Sequence, residues 1–127
     1  MSARILLVED NPANRYLATF LLENSGFRVF HAGNGREAVL AAQNELPDLI
    51  LMDIQMPEVD GYEAARRIKA EPHLAHIPIV AVTSYAMASD REKAGDIGFA
   101  GYIEKPIVTE TFIADISRYI RGKAGTP

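Results

Sequence analysis

The sequence predicts an open α/β fold in which a parallel sheet of five strands is covered by helices on both faces. Three apolar runs are strand candidates, at residues 5–8, 49–52 and 79–82. Unbroken apolar runs are typical of parallel strands that are buried on both faces. Segments with helical spacing separate the runs, as the crossover connections of a parallel sheet require. A closed eightfold barrel needs roughly twice the length of this chain.

The strand and helix segments alternate along the whole chain. Residues 28–31 and 101–104 are the weaker strand candidates and bring the predicted number of strands to five. Apolar residues recur at helical spacing between and after the strands. The positions that show this spacing are Leu17, Phe20 and Leu21, then Ala38, Val39 and Ala42, then Ala64, Ala65 and Ile68, then residues 87–97, and finally Phe112, Ile113, Ile116, Tyr119 and Ile120.

Turn and cap residues agree with these boundaries. Pro12 suits the first turn of a helix, because the missing backbone N–H is not needed there. Gly26 follows the first predicted helix and Asn34 precedes the second, which are favoured positions for a terminating glycine and a capping asparagine. Pro47 precedes the third strand. We therefore predict one domain over residues 1–127, with a core of about 4–121 and a short flexible C-terminal tail.

Composition narrows the class of protein. The chain has no cysteine, which excludes disulfides and thiolate metal sites. Its net charge of −4 gives no overall electrostatic attraction for nucleic acid. No apolar run approaches the roughly 18 residues of a membrane span, and the start of the chain lacks the apolar stretch of a signal peptide. We expect a cytoplasmic protein that binds neither nucleic acid nor membrane.

Polar side chains collect where the predicted strands end. Glu9 and Asp10 follow the first strand, Asp53 ends the third, Thr83 follows the fourth and Lys105 follows the fifth. The carboxyl ends of parallel strands lie at one edge of the sheet, which is where open α/β folds bind ligands. We therefore expect these five side chains to share one pocket.

Such a pocket needs a cation. Two carboxylates about 4 Å apart repel by roughly 4 kcal/mol at an effective dielectric of 20, and Lys105 supplies only one compensating charge. Mg²⁺ fits a site of a few carboxylates that retains water, and no histidine or cysteine stands at the ends of the four strands that carry these residues to favour zinc. A carboxylate beside Mg²⁺ is a plausible nucleophile toward a phosphoryl group, and Asp53 is the isolated acid, although spacing alone does not settle that choice.

Four motifs in order resemble the receiver-domain family of two-component signalling over about residues 4–121. They are ILLVEDN at 5–11, DLILMDIQMP at 48–57 with DG at 60–61, VT at 82–83 and YIEKP at 102–106. The run HLAHIPIVAVT at 73–83 further resembles the single-domain cell-division regulators of alphaproteobacteria. The resemblance implies a flavodoxin-like three-layer (βα)5 sandwich with strand order 2-1-3-4-5.

The resemblance also implies a role for each site residue. Asp53 would be the phospho-acceptor. Mg²⁺ would be held by Glu9, Asp10, Asp53 and the backbone carbonyl of Gln55. Lys105 would bind the phosphoryl group, and Thr83 with Tyr102 would form the switch. Three positions depart from common family residues, namely Gln55, Ser84 and Tyr85. Ser84 is small enough to leave phosphate access intact, whereas Gln55 and Tyr85 leave the dephosphorylation rate open.

The implied partners are a histidine kinase or phosphotransfer protein and a downstream protein. The downstream partner would contact the face made by the fourth helix, predicted at residues 87–97, the fifth strand and the fifth helix. The chain would not be an enzyme beyond catalysing its own phosphorylation and dephosphorylation.

Several alternatives remain at this point. One is a receiver domain excised from a hybrid histidine kinase. Others are a small phosphohydrolase, for which no spare carboxylate is found, and a receiver that binds partners without phosphorylation. Tyr102 also has an ordinary interpretation as a packed aromatic, and Glu9 with Asp10 as a polar turn before a helix.

Overall fold

A computed structural model describes residues 3–54, 61–83, 92, 95–105, 107 and 109–123 of the chain. The elements run β1 (Arg4–Val8), α1 (Pro12–Asn24), β2 (Arg28–Ala32), α2 (Gly35–Glu45), β3 (Leu49–Asp53), α3 (Gly61–Ala70), β4 (Ile79–Thr83), β5 (Gly101–Glu104) and a last helix (Thr109–Lys123). The five strands form one sheet of order β2-β1-β3-β4-β5 in which all neighbours are parallel. The predicted fold class and strand order are confirmed.

The unbroken apolar runs of the strands serve two cores, one on each face of the sheet. In β1, Leu6 and Val8 pack with residues of α2 and α3, whereas Ile5 and Leu7 pack with residues of α1 and the last helix. Successive side chains of a strand point to opposite faces, so a strand covered on both faces is apolar at every position. The result is a three-layer sandwich whose β3 and β4 are buried throughout.

The helix boundaries follow the local capping chemistry that the sequence indicated. Asn11 caps α1 by accepting a hydrogen bond from the Asn14 N–H at 3.0 Å, and Pro12 occupies the first turn. Asn34 caps α2 by accepting from the Glu37 N–H at 2.9 Å. Gly26 lies just beyond α1 with φ 93°, a conformation that suits glycine. The capping interactions fix where each helix leaves the edge of the sheet.

The buried face of α1 matches only in part the apolar positions that showed helical spacing. Ala18 and Leu22 are the buried residues, whereas Leu17 and Phe20 are 38% and 54% exposed. Leu21 is half-buried and packs against the same core, so the buried face of α1 runs through Ala18, Leu21 and Leu22.

The predicted tail and fourth helix are only partly covered by the described residues. The last helix extends to Lys123, two residues into the predicted tail, and residues 124–127 lie outside the described part of the chain. Of the helix predicted at 87–97, residues 92 and 95–97 are described, and these are helical.

Candidate functional site

The carboxyl-end edge of the sheet brings together the polar residues that the sequence placed there. Asp53 is the last residue of β3 and Thr83 the last of β4, while Glu9 and Lys105 follow β1 and β5 directly. Glu9, Asp53 and Thr83 are 5%, 3% and 1% exposed, and they are the buried polar residues among those that the structure describes. Burying ionisable groups is costly unless they are paired, so this edge has the character of a site.

Three carboxyl groups at this edge form a donor set suited to a hard metal ion. Carboxylate oxygens of Glu9, Asp10 and Asp53 all lie within 4.8 Å of one another. Glu9 and Asp53 are buried and Asp10 is exposed, which leaves the solvent side open for coordinating water. An all-oxygen donor set with access for water fits Mg²⁺ better than zinc.

Lys105 pairs with two of the acids at once. Its Nζ lies 3.0 Å from Asp53 Oδ2 and 3.2 Å from Glu9 Oε1. The Lys105 backbone N–H donates to the Thr83 carbonyl at 2.8 Å, and this hydrogen bond holds the residue after β5 against the end of β4. The ammonium therefore lies between two buried carboxylates and orients one oxygen of each.

The pKa values of the paired groups reflect burial and charge. The pKa of Glu9 is raised above 4.5, first by burial and then by the Asp53 charge, against the opposing effect of Lys105. Burial alone would lower the pKa of Lys105, but its hydrogen bond to Asp53, the Asp53 charge and its interactions with Glu9 raise that pKa above 10.5. Burial and the Asp53 charge therefore disfavour the ionised form of Glu9, and a second nearby cation would favour it.

Two residues that support the site were given no role in it from the sequence, although Gly61 belongs to the DG motif at 60–61. The Arg15 Nε donates to the Glu9 carbonyl at 3.3 Å. Gly61 begins α3 so close to β3 that an added Cβ would lie 2.6 Å from Ile54 Cα and 2.7 Å from the Asp53 carbonyl oxygen. Both act on backbone rather than on the acids themselves, which explains why residue chemistry did not reveal them. The glycine at the start of α3 was the one available signal.

Thr83 and Tyr102 lie on the same face of the sheet. The register pairs Ala81 with Tyr102, and Thr83 stands two residues beyond Ala81 on that face. Tyr102 packs against the core between the sheet and α2 and α3, and its hydroxyl oxygen is buried. The proposed switch role of this pair stays a prediction. Gln55, Ser84 and Tyr85 lie outside the described residues.

The fold and site define a class of doubly wound α/β domain with an acidic pocket at the carboxyl ends of its strands. The family model of the response regulator receiver domain matches residues 5–117. The chain belongs to this family of two-component signalling proteins, whose members are signalling domains rather than conventional enzymes and interact with histidine kinases or phosphotransfer proteins and with downstream targets.

Curated relatives and solved structures agree with the family. The chain is 43% identical over 120 residues to the polar-differentiation response regulator DivK of Brucella anthropi, covering 94% of this chain and 98% of DivK. It is 42% identical to DivK of Brucella ovis over the same coverage. The receiver domain of the Pseudomonas aeruginosa sensor histidine kinase PA1611, solved with magnesium in the active-site cleft, has a TM-score of 0.85 at 36% identity, covering 99% of this chain and 100% of that one.

Vibrio cholerae CheY4, a chemotaxis response regulator, is similar at a TM-score of 0.90 and 27% identity, covering 94% of this chain and 99% of that one. The identity to DivK exceeds the identity to the kinase receiver domain, so the origin in a hybrid kinase is not favoured. Among the described residues, no helix combines the length and apolar character that a membrane span needs.

Proposed function

We propose that the chain is a phosphoryl-accepting response regulator in which Asp53 receives the phosphoryl group. The main support for this proposal is that three carboxylates lie within 4.8 Å of one another beside Lys105. Asp53 is the choice of acceptor because it ends the central strand and Lys105 holds one of its oxygens at 3.0 Å. Residues 1–127 would act as one receiver domain with a core of about 4–121.

The transfer is an in-line displacement at phosphorus. A carboxylate oxygen of Asp53 forms the new bond to phosphorus, while the bond from phosphorus to the imidazole nitrogen of the donor histidine breaks and that nitrogen keeps the electron pair. Glu9, Asp10, Asp53 and the backbone carbonyl of Gln55 would hold Mg²⁺, and the bound ion would neutralise the phosphoryl oxygens and align them with the attacking group. Lys105 would move from its carboxylate partners to the phosphoryl oxygens. The chain would catalyse only the gain and loss of its own phosphoryl group.

The response would arise from groups that bind the phosphoryl oxygens. The Thr83 hydroxyl and the Lys105 ammonium stand at the pocket, and Tyr102 follows on the same face as Thr83. Because the Tyr102 hydroxyl oxygen is already buried here, we expect phosphorylation to increase the population of an arrangement that the unmodified chain can reach. The phosphoryl group shifts that equilibrium only by its differential interaction with the two states.

The output would be contact with another protein. The proposed face comprises the helix predicted at residues 87–97, β5 and the last helix, because β5 carries Tyr102 next to the pocket. Gly101 of β5 packs directly on the Tyr119 ring, so movement of β5 reaches the last helix without an intervening layer. We propose a cytoplasmic location, a histidine kinase or phosphotransfer protein as donor, and no nucleic-acid partner.

Acetyl phosphate labelling tests the acceptor assignment. The wild-type chain, incubated with acetyl phosphate and Mg²⁺, should gain one phosphoryl group by intact-mass spectrometry and none when EDTA is present. Asp53→Asn should not be labelled. Asp115→Asn is the matched control, because Asp115 lies in the last helix and pairs with Arg118 at 3.4 Å, and it should be labelled like the wild type. Equal labelling of Asp53→Asn would overturn the assignment.

A further inference from the structure

The peptide unit that joins Glu9 to Asp10 is held by a side chain from the next helix. The Arg15 Nε donates to the Glu9 carbonyl oxygen at 3.3 Å, and the Arg15 backbone N–H donates to the Asn11 carbonyl at 2.9 Å. This carbonyl belongs to the peptide plane between the two acids proposed to hold Mg²⁺. The orientation of that plane determines how both carboxylates present their oxygens.

The other polar atoms of Glu9 are engaged as well. Its N–H donates to the Ala32 carbonyl at 3.1 Å, Oε1 pairs with Lys105 at 3.2 Å, and Oε2 accepts from the Asn11 N–H at 3.2 Å. The carbonyl oxygen is therefore the remaining polar atom of Glu9. Arg15 supplies a charge-assisted hydrogen bond to it. Glu9 is 5% exposed, so water is a poor substitute for the guanidinium.

Helix stability does not account for an arginine at this place. Arg15 lies at the end of the first turn of α1, where the positive end of the helix dipole disfavours a cation. Arg15 is half-buried and lines a surface groove with Tyr16 and His31. Its aliphatic chain therefore lies between that groove and Glu9. Among the described residues, the Glu9 carbonyl is the hydrogen-bond partner of the Arg15 guanidinium.

We propose that Arg15 is a positioning residue that fixes the Glu9–Asp10 peptide and thereby sets the affinity of the acidic pocket for Mg²⁺. This inference rests on the proposed function, because it presumes that the acids hold the ion. Partners that orient metal ligands without touching the metal typically contribute 10–100-fold to affinity. We expect Arg15→Ala to weaken Mg²⁺ binding about tenfold, at the lower end of that range because the contact is to backbone.

Titration calorimetry with Mg²⁺ alone is the test. Arg15→Ala should bind weakly, Arg15→Lys should retain part of the affinity because it keeps a cationic donor, and Arg67→Ala should bind like the wild type. Arg67 is the matched control because it is an exposed helical arginine whose loss removes the same charge. If Arg15→Ala does not fold, Arg15→Gln, which keeps the packed stem, takes its place.

A second measurement separates positioning from a general structural role. The Mg²⁺ concentration that gives half the maximal rate of acetyl phosphate labelling should rise in Arg15→Ala, whereas the rate at saturating Mg²⁺ should stay at the wild-type value. Unchanged Mg²⁺ affinity in Arg15→Ala, or an equal loss in Arg67→Ala, would overturn the positioning role alone. A wild-type chain that bound no Mg²⁺ would overturn the proposed function as well.

Discussion

Replacing Lys105 with methionine removes the cation that compensates two buried carboxylates. At an effective dielectric of 20, the ammonium attracts Asp53 at 3.0 Å and Glu9 at 3.2 Å by roughly 5 kcal/mol each, before the cost of desolvation is subtracted. The two acids, within 4.8 Å of each other, would then repel by at least about 3 kcal/mol. Removing one partner of a buried ion pair typically costs about 3–5 kcal/mol.

We therefore expect Lys105→Met to lower the free energy of unfolding by about 3 kcal/mol in EDTA at neutral pH. At roughly 3–4 °C per kcal/mol for a domain of this size, the melting temperature should fall by about 10 °C. Saturating Mg²⁺ should recover part of the loss, since the ion supplies the missing positive charge. Thermal and urea unfolding, each with EDTA and with Mg²⁺, measure both effects.

Lys69→Met is the control for losing a half-buried lysine. Lys69 Nζ donates to the Ala75 and Ile77 carbonyls at 3.0 and 3.1 Å. Its replacement should also destabilise the chain, but by an amount that Mg²⁺ does not change. A Lys105→Met variant as stable as the wild type in EDTA, or a deficit that Mg²⁺ leaves unaltered, would refute the electrostatic account of the pocket.

The stability difference between the wild type and Lys105→Met should depend on pH, because the pKa values of Lys105 and Glu9 are both shifted. Because the pKa of Lys105 is raised above 10.5, its stabilising contribution is present below the unfolded value of about 10.4 and is lost as pH rises through the folded pKa. Because the pKa of Glu9 is raised above 4.5, the folded chain takes up that proton first as pH falls, and Lys105 then loses one of its two anionic partners. The stability difference should be widest at neutral to mildly alkaline pH and narrow toward pH 4.5.

Three further substitutions test the proposed Mg²⁺ ligands, the proposed switch and the close packing of α3 against the end of β3. Asp10→Asn should weaken Mg²⁺ binding in calorimetry while leaving the metal-free stability nearly unchanged or slightly higher, because a charged ligand is lost from an exposed position; unaltered affinity would remove Asp10 from the site. Thr83→Ala should still be labelled by acetyl phosphate but show smaller amide chemical-shift changes with beryllofluoride than the wild type, and wild-type changes would contradict its role. Gly61→Ala should cost about 1–3 kcal/mol in urea unfolding because its Cβ overlaps the β3 backbone, whereas Gly95→Ala, with open space at the Cβ, should not; equal effects would contradict the packing argument.

Much of the fold was predictable because its signals are local. Runs such as residues 5–8 and 49–52 are apolar at every position since both faces of the sheet are covered, and cap residues such as Asn34 satisfy the first amides of the helix that they precede. The strand order was not predictable from periodicity, because it depends on which crossovers pass over which face. It came from the resemblance to receiver domains, and the register confirms it.

The site was predictable as far as the ends of strands determine it. Glu9, Asp53, Thr83 and Lys105 converge because parallel strands end at one edge. The double ion pair of Lys105 was not foreseen, since a sequence gives neither the direction nor the reach of a side chain. The expected metal ligand Gln55 lies outside the described residues and stays a prediction.

Contacts between side chains and backbone account for the rest. The hydrogen bond from Arg15 to the Glu9 carbonyl links residues whose chemistry gives no hint of pairing. Gly101 is needed because the Tyr119 ring of the last helix lies against it, a contact 18 residues away along the chain. Likewise, the outward position of Phe20 follows from which face of α1 packs on the sheet. Each depends on three-dimensional fit rather than on pattern.

The central claim is that Asp53 carries the phosphoryl group, and reductive trapping tests it most directly. Borohydride cleaves an aspartyl phosphate and converts that residue to homoserine, which peptide mass spectrometry locates. The chain treated with acetyl phosphate and Mg²⁺ should show homoserine at position 53 and an unchanged side chain at Asp10, and the chain treated in EDTA should show no conversion. Conversion at Asp10 or at another carboxylate, with Asp53 intact, would contradict the account.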